Sequence, residues 1–145
     1  MAYKRSEARV REFEHTADIG IIVDGNSLHE LFANAAYGMI QILFGRSDLP
    51  VVQIKKIQIN EPAADDLLIS WLSELNYLIS AQGIAPGEIL EIQIRQEDRE
   101  FILEAQIAVG VAKEPALEIK AVTYHQFYLK EIGPDQFQAR IIFDI

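Results

Sequence analysis

The sequence predicts an α+β fold, a single domain built on a largely antiparallel β-sheet with two amphipathic helices packed on one face. Three observations predict it. The 145 residues are 50% apolar and 24% charged, a globular composition at the length of one domain. Only two segments carry apolar residues at helical spacing. The remaining apolar residues alternate with period two, in runs before, between and after those helices, which is the pattern of an antiparallel α+β chain.

The chain is read as one domain, 1–145, whose first twelve residues form a basic leading segment. Lys4, Arg5, Arg9 and Arg11 face only Glu7 in the first eleven residues, a local excess of cations in a chain of net charge −9. That segment reads as a solvated leading strand whose charges protect an edge, or as an arm that touches RNA or an acidic partner. Strands are expected over residues 9–15 and 19–24. Ser27-Leu28-His29-Glu30 is a capping box, in which hydroxyl and carboxylate satisfy the first free N–H groups of a helix. The helix buries Leu28, Leu31, Phe32, Ala35, Met39, Ile42 and Leu43 and stops at Gly45.

A strand follows over 51–59, where the apolar parity slips between Ile54 and Ile57 and suggests a bulge at Lys55-Lys56. The second helix opens at Pro62, with Asp65 and Asp66 at the positive end of its dipole. It buries Leu68, Trp71, Leu72, Leu75, Leu78 and Ile79 and ends before Gly83. Leu90, Ile92 and Ile94 lead through a polar hairpin connection, Gln96-Glu97-Asp98-Arg99, into the clean alternation of 101–109. The last strands cover 117–123 and 137–144.

Composition excludes several chemistries. With no cysteine there is no disulfide framework, thiolate nucleophile or Cys-based metal site. A charge of −9 disfavours autonomous binding to a phosphate backbone. No apolar run resembles a signal peptide or a membrane span, so the expectation is a soluble, cytoplasmic protein with no membrane partner. The scattered glycines form neither a Walker loop nor GxGxxG, and GxSxG and HExxH are missing. Of the three histidines, His15, His29 and His125, His29 is expected on an exposed helical turn.

Three segments stand out against this background. In Glu14-His15-Thr16-Ala17-Asp18-Ile19-Gly20, titratable residues interrupt the join between two apolar strands; by itself this reads as a turn. In Ile119-Lys120-Ala121-Val122-Thr123-Tyr124-His125, a lysine shares a strand face with Val122 and Tyr124. In Phe143-Asp144-Ile145, a side-chain carboxylate stands beside a main-chain one, an arrangement that either water or a cation relieves.

Together with Leu31-Phe32-Ala33-Asn34-Ala35-Ala36 and Trp71-Leu72-Ser73-Glu74-Leu75, these segments resemble the archease family in order and in register from about residue 13 onward. The resemblance implies a protein cofactor, not an enzyme, that promotes guanylylation and turnover of the GTP-dependent tRNA-splicing RNA ligase in tRNA splicing and RNA repair. It implies a divalent-cation site made by Asp18 and Asp144 with Ile145 adjacent, whose oxygen donors suit Ca²⁺ or Mg²⁺. It maps the family's motif lysine to Lys120 and makes His15 and His125 candidates for substrate contact or for hydrogen bonds to a ligand carboxylate. RNA is then met only indirectly, through the ligase. Two other functions fit the same residues: a chaperone-like modulator of RNA- or DNA-modifying enzymes, with Phe127 and Tyr128 as candidate surface residues, and a small metal-dependent phosphohydrolase with His15 or His125 as base.

Overall fold

The computed structural model describes residues 2–15, 18–45, 51–111 and 114–145, with Glu14 and His15 described by their backbone alone. A single 3-10 turn, Arg5–Glu7, precedes β1 (Val10–His15) and β2 (Asp18–Gly25). Then come α1 (Leu28–Phe44), β3 (Gln53–Glu61), α2 (Ala64–Gln82), β4 (Ile84–Glu97), β5 (Glu100–Val111), β6 (Ala121–Gly133) and β7 (Gln136–Asp144). The α+β class and the antiparallel pairing agree with the sequence reading. The strands divide, however, into two sheets, β1-β2-β7-β6 and β3-β5-β4, where the sequence suggested one.

Each helix packs against strands of both sheets, so the helices are not confined to one exposed face. That placement explains why α1 is buried without a break from Leu31 to Ile40, a wider surface than its predicted stripe. α2 likewise buries Leu67 and Ile69 beyond its predicted stripe. The Trp71 indole N–H donates to Phe32 O (3.0 Å) and ties the two helices together.

Ser27 caps α1 by accepting from Glu30 N (3.0 Å), while the Glu30 carboxylate reaches back to Asn26 N (3.1 Å), one residue earlier than in the usual reciprocal box. Gly83 ends α2 in the left-handed region, φ 63°.

Two expectations about the strands are corrected. β3 pairs with β5 without interruption from Gln53↔Val109 to Glu61↔Phe101, so no bulge lies at Lys55-Lys56. The parity slip there arises because Ile54 faces solvent, 57% exposed, while Ile57 is buried. Register shifts lie instead in β4, between Pro86 and Glu91, and in β6, between Thr123 and Tyr128 and between Glu131 and Gly133. The strand expected over 117–123 begins only at Ala121, because residues 117–120 are irregular.

His29 is not on an exposed turn: its Nε2 accepts the Ile94 N–H (3.1 Å) at the free edge of β4. The basic leading segment is held to the body. Tyr3 bridges Ile89, its carbonyl accepts from the Tyr37 hydroxyl, and the Arg5 guanidinium donates to Gly45 O.

Candidate functional site

The outer face of the β1-β2-β7-β6 sheet carries Asp18 and Asp144, and other residues singled out in the sequence lie near its end. Facing residues in an antiparallel ladder share a face with Cβ atoms about 5 Å apart. Asp18 pairs directly with Asp144, and Asp144 pairs in turn with Ala121 at the start of β6. On the other side of Asp18, the backbone of His15 completes the row. Two half-exposed carboxylates therefore oppose each other across adjacent strands, where like charges are unfavourable without a countercharge. Ile145, which follows Asp144, is half-buried against the core.

Lys120 joins this row through its backbone: Lys120 N donates to Asp144 O (2.7 Å), and its side chain is exposed. The irregular segment before it is pinned from α2, where the Asn76 side chain donates to Ile119 O (2.8 Å). His125 is exposed in the β6 bulge, where Tyr124 to Phe127 stand opposite Ile141 alone. The Tyr124 hydroxyl anchors this bulge on Asp66 of α2 (2.7 Å), and that hydrogen bond pushes the tyrosine pKa up to about 12. Thr16 and Ala17 of the leading motif, and the His15 side chain, lie outside the described residues.

Sequence reasoning missed a second group on the same face. The Phe13 ring lies across Gly20, at the place a Cβ would occupy, and the Arg140 guanidinium lies over that ring, 4.6 Å from its centroid. Arg140 Nη2 donates to the Gln126 amide oxygen (2.9 Å), and Gln126 takes a left-handed φ of 51° at the bulge. Alternation along a strand puts Arg140, Ile142 and Asp144 on one face, but nothing in the sequence signals the bulge that supplies Gln126.

Among the described residues no group of three or more His, Asp or Glu side chains converges on a point. The carboxylate pair offers oxygen donors only, the kind that a hard cation takes. A separate groove of about 390 Å³ lies on the other sheet, lined by residues that include Lys56, Gln58, Glu91 and Gln106. It shares no residue with the carboxylate row.

Comparison with known proteins agrees with this architecture. The model of the Archease protein family (MTH1598/TM1083) matches residues 11–145. The chain belongs to the archease family. It is 34% identical over 137 residues to protein archease of Methanosarcina acetivorans, covering 91% of this chain and 92% of that one. Protein archease of Pyrococcus furiosus is 30% identical over 138 residues, covering 92% and 96%. The solution structure of Methanobacterium thermoautotrophicum protein 1598 superposes with a TM-score of 0.80 at 26% identity, covering 94% and 98% of the two chains. The crystal structure of a Thermotoga maritima archease, described as a possible chaperone, gives 0.62 at 26% identity, covering 93% and 96%. An archease fold thus carries the row at its sheet end. No helix among the described residues is long and apolar enough to cross a membrane.

Proposed function

We propose that this archease is an accessory protein of the GTP-dependent RNA ligase that joins 2′,3′-cyclic-phosphate or 3′-phosphate ends to 5′-hydroxyl ends in tRNA splicing and RNA repair, acting in the cytoplasm. It promotes transfer of GMP from GTP to the ligase's own nucleophile and has no catalytic cycle itself. The observation that supports this reading is the direct cross-strand pairing of Asp18 with Asp144.

Asp18, Asp144 and the main-chain oxygen of Ile145 would hold a Ca²⁺ or Mg²⁺ ion, because an all-oxygen donor set with open positions suits a hard cation. When bound, the ion supplies positive charge to phosphoryl oxygens. Lys120, exposed beside the pair, adds a mobile point charge that can reach a phosphate. His125 lies on the β6 bulge, within the same sheet. The acidic chain, at −9 overall, would complement a basic RNA-binding cleft on the ligase.

The test is a guanylylation assay with purified ligase, GTP and this protein. Wild type should raise the rate of ligase–GMP formation, and Asp18→Asn, Asp144→Asn and Lys120→Ala should each abolish the rise. A ligase that guanylylates equally with and without the protein overturns the reading.

A second reading, a chaperone-like modulator, is favoured by one surface. Phe127 and Tyr128 are half-buried and do not supply it, but Val51, Val52, Ile54 and Val111 are all more than half exposed where β3 begins beside the end of β5. Replacing Val52 and Ile54 by Lys distinguishes the two: ligase stimulation survives under the first reading, and suppression of client aggregation is lost under the second.

A further inference from the structure

The Arg140 guanidinium is held in place without being neutralised. Among the described residues Arg9 pairs with Glu30 (3.0 Å), Arg11 with Asp24 (3.8 Å), and Arg95 with Glu97 and Glu104 (3.1 Å each). Arg140 has instead an aromatic ring and a neutral amide, which fix its orientation and leave its charge intact. The acid nearest along the face, Asp24, is engaged by Arg11 and by the Gln138 side chain (2.9 Å). Arg140 Nε is buried with no partner, so the guanidinium's own hydrogen bonding is incomplete. Gln126 holds its end from a left-handed backbone that a glutamine rarely adopts, a local cost tolerated where a side chain must be aimed.

The seat of the guanidinium matters as much as its charge. Arg140 stands opposite Ile22, two rows from the Asp18–Asp144 pair, but the Phe13 ring beneath it covers Gly20, only one row away. The ring on which the cation is seated therefore reaches the row next to the carboxylates, about 7 Å or two residues of strand rise from them. A phosphoryl group with one oxygen on a cation at the carboxylates and another on an arginine N–H spans about the same distance.

We infer that Arg140, oriented by Phe13 and Gln126, is a phosphate-binding residue, and that the outer face of this sheet takes a phosphoryl group between Arg140 and the Asp18–Asp144 row. The cation is taken from the proposed function; the arginine seat stands on its own contacts. The phosphoryl group comes from a nucleoside triphosphate or from the 3′-phosphate of an RNA end, and the test separates these sources.

The Arg140 Nε–Hε resonance is followed by NMR in the isolated protein during titration with GTP, with a short 3′-phosphorylated RNA and with the same RNA lacking the phosphate, each with Mg²⁺ present. The resonance should move with GTP, with the 3′-phosphorylated RNA, or with both, and stay fixed with the dephosphorylated RNA. Whichever ligand moves it identifies the source. Arg140→Lys, which keeps the charge but loses the planar stack, should bind that ligand about tenfold more weakly with an unchanged melting temperature. A resonance that neither phosphorylated ligand moves, or an equal response to the dephosphorylated RNA, overturns the inference. Binding by Arg140→Lys as tight as wild type does so as well. The ligase is absent from this experiment, so its failure leaves the guanylylation result untouched, and the reverse holds too.

Discussion

At the scale of single residues, the proposed cation site sets function against stability at Asp144. Its carboxylate faces that of Asp18 across the ladder, and such like-charge pairs cost about 0.2–1 kcal/mol. In chelator, Asp144→Asn should therefore melt no lower than wild type, and up to about 1 kcal/mol more stably. With the cation at a hundred times its dissociation constant, wild type should gain about 2.7 kcal/mol by mass action. The variant should lose most of that gain. Melting curves with and without Ca²⁺ check both halves, and equal calcium shifts for the two proteins would remove the ion from Asp144. Gly20 makes a related point. Any side chain there meets the Phe13 ring, whose end can swing away, so Gly20→Ala should fold yet expel the ring and release Arg140. A change in near-ultraviolet and Arg140 side-chain signals, with far-ultraviolet circular dichroism unchanged, is the expected record.

At the scale of elements, side chains of α1 seal the free edge of β4. The Tyr37 hydroxyl accepts the Ile89 N–H (2.8 Å), and His29 accepts the Ile94 N–H. Tyr37→Phe strands a buried donor and should cost about 1–3 kcal/mol, read as a lower urea midpoint at unchanged m. His29 accepts only while neutral, and burial holds its pKa below the usual 6.5. Because the unfolded chain protonates first as pH falls, the bond's stabilisation is complete above pH 6.5 and declines as pH drops towards and through the folded value. His29→Gln, which keeps an acceptor but cannot titrate, should flatten the melting temperature between pH 5 and 7 relative to wild type, and parallel profiles would exclude His29 as the source.

These contacts also show what could be read from the chain beforehand. Helix caps and strand alternation are local, so Ser27, Gly45, Gly83 and the 101–109 pattern announce themselves. The division into two sheets is not local, because it depends on which strand edges meet, and α1 signals it only by being apolar on more sides than one sheet can cover. Asp18 and Asp144 were legible as motif residues, yet their facing each other follows from β2–β7 register over more than a hundred residues of separation. Gln126 and Asn76 were not legible, since one depends on a bulge and the other on a helix docking against an irregular segment.

At the scale of the whole molecule, the charge distribution predicts how the protein meets its proposed partner. The whole chain carries −9, and Arg9 is paired to Glu30 and Arg11 to Asp24, so part of the leading segment's positive charge is neutralised against the rest of the molecule. The long-range field is therefore acidic, and a basic ligase cleft should attract it over about a Debye length, roughly 30 Å at 0.01 M salt and 8 Å at 0.15 M. Steering of this kind acts on encounter, not on the docked contacts, so the association rate should fall steeply across that range while the dissociation rate changes little. Surface-plasmon or stopped-flow measurements against the ligase at several salt concentrations test this directly. Arg11→Glu, which adds to the net negative charge and releases Asp24, should associate faster at low salt and converge with wild type at high salt. An association rate indifferent to salt, or slowed by that variant, would mean that the acidic body plays no part in finding the ligase and that docking begins at another surface, with the exposed Val51, Val52, Ile54 and Val111 patch the next to examine.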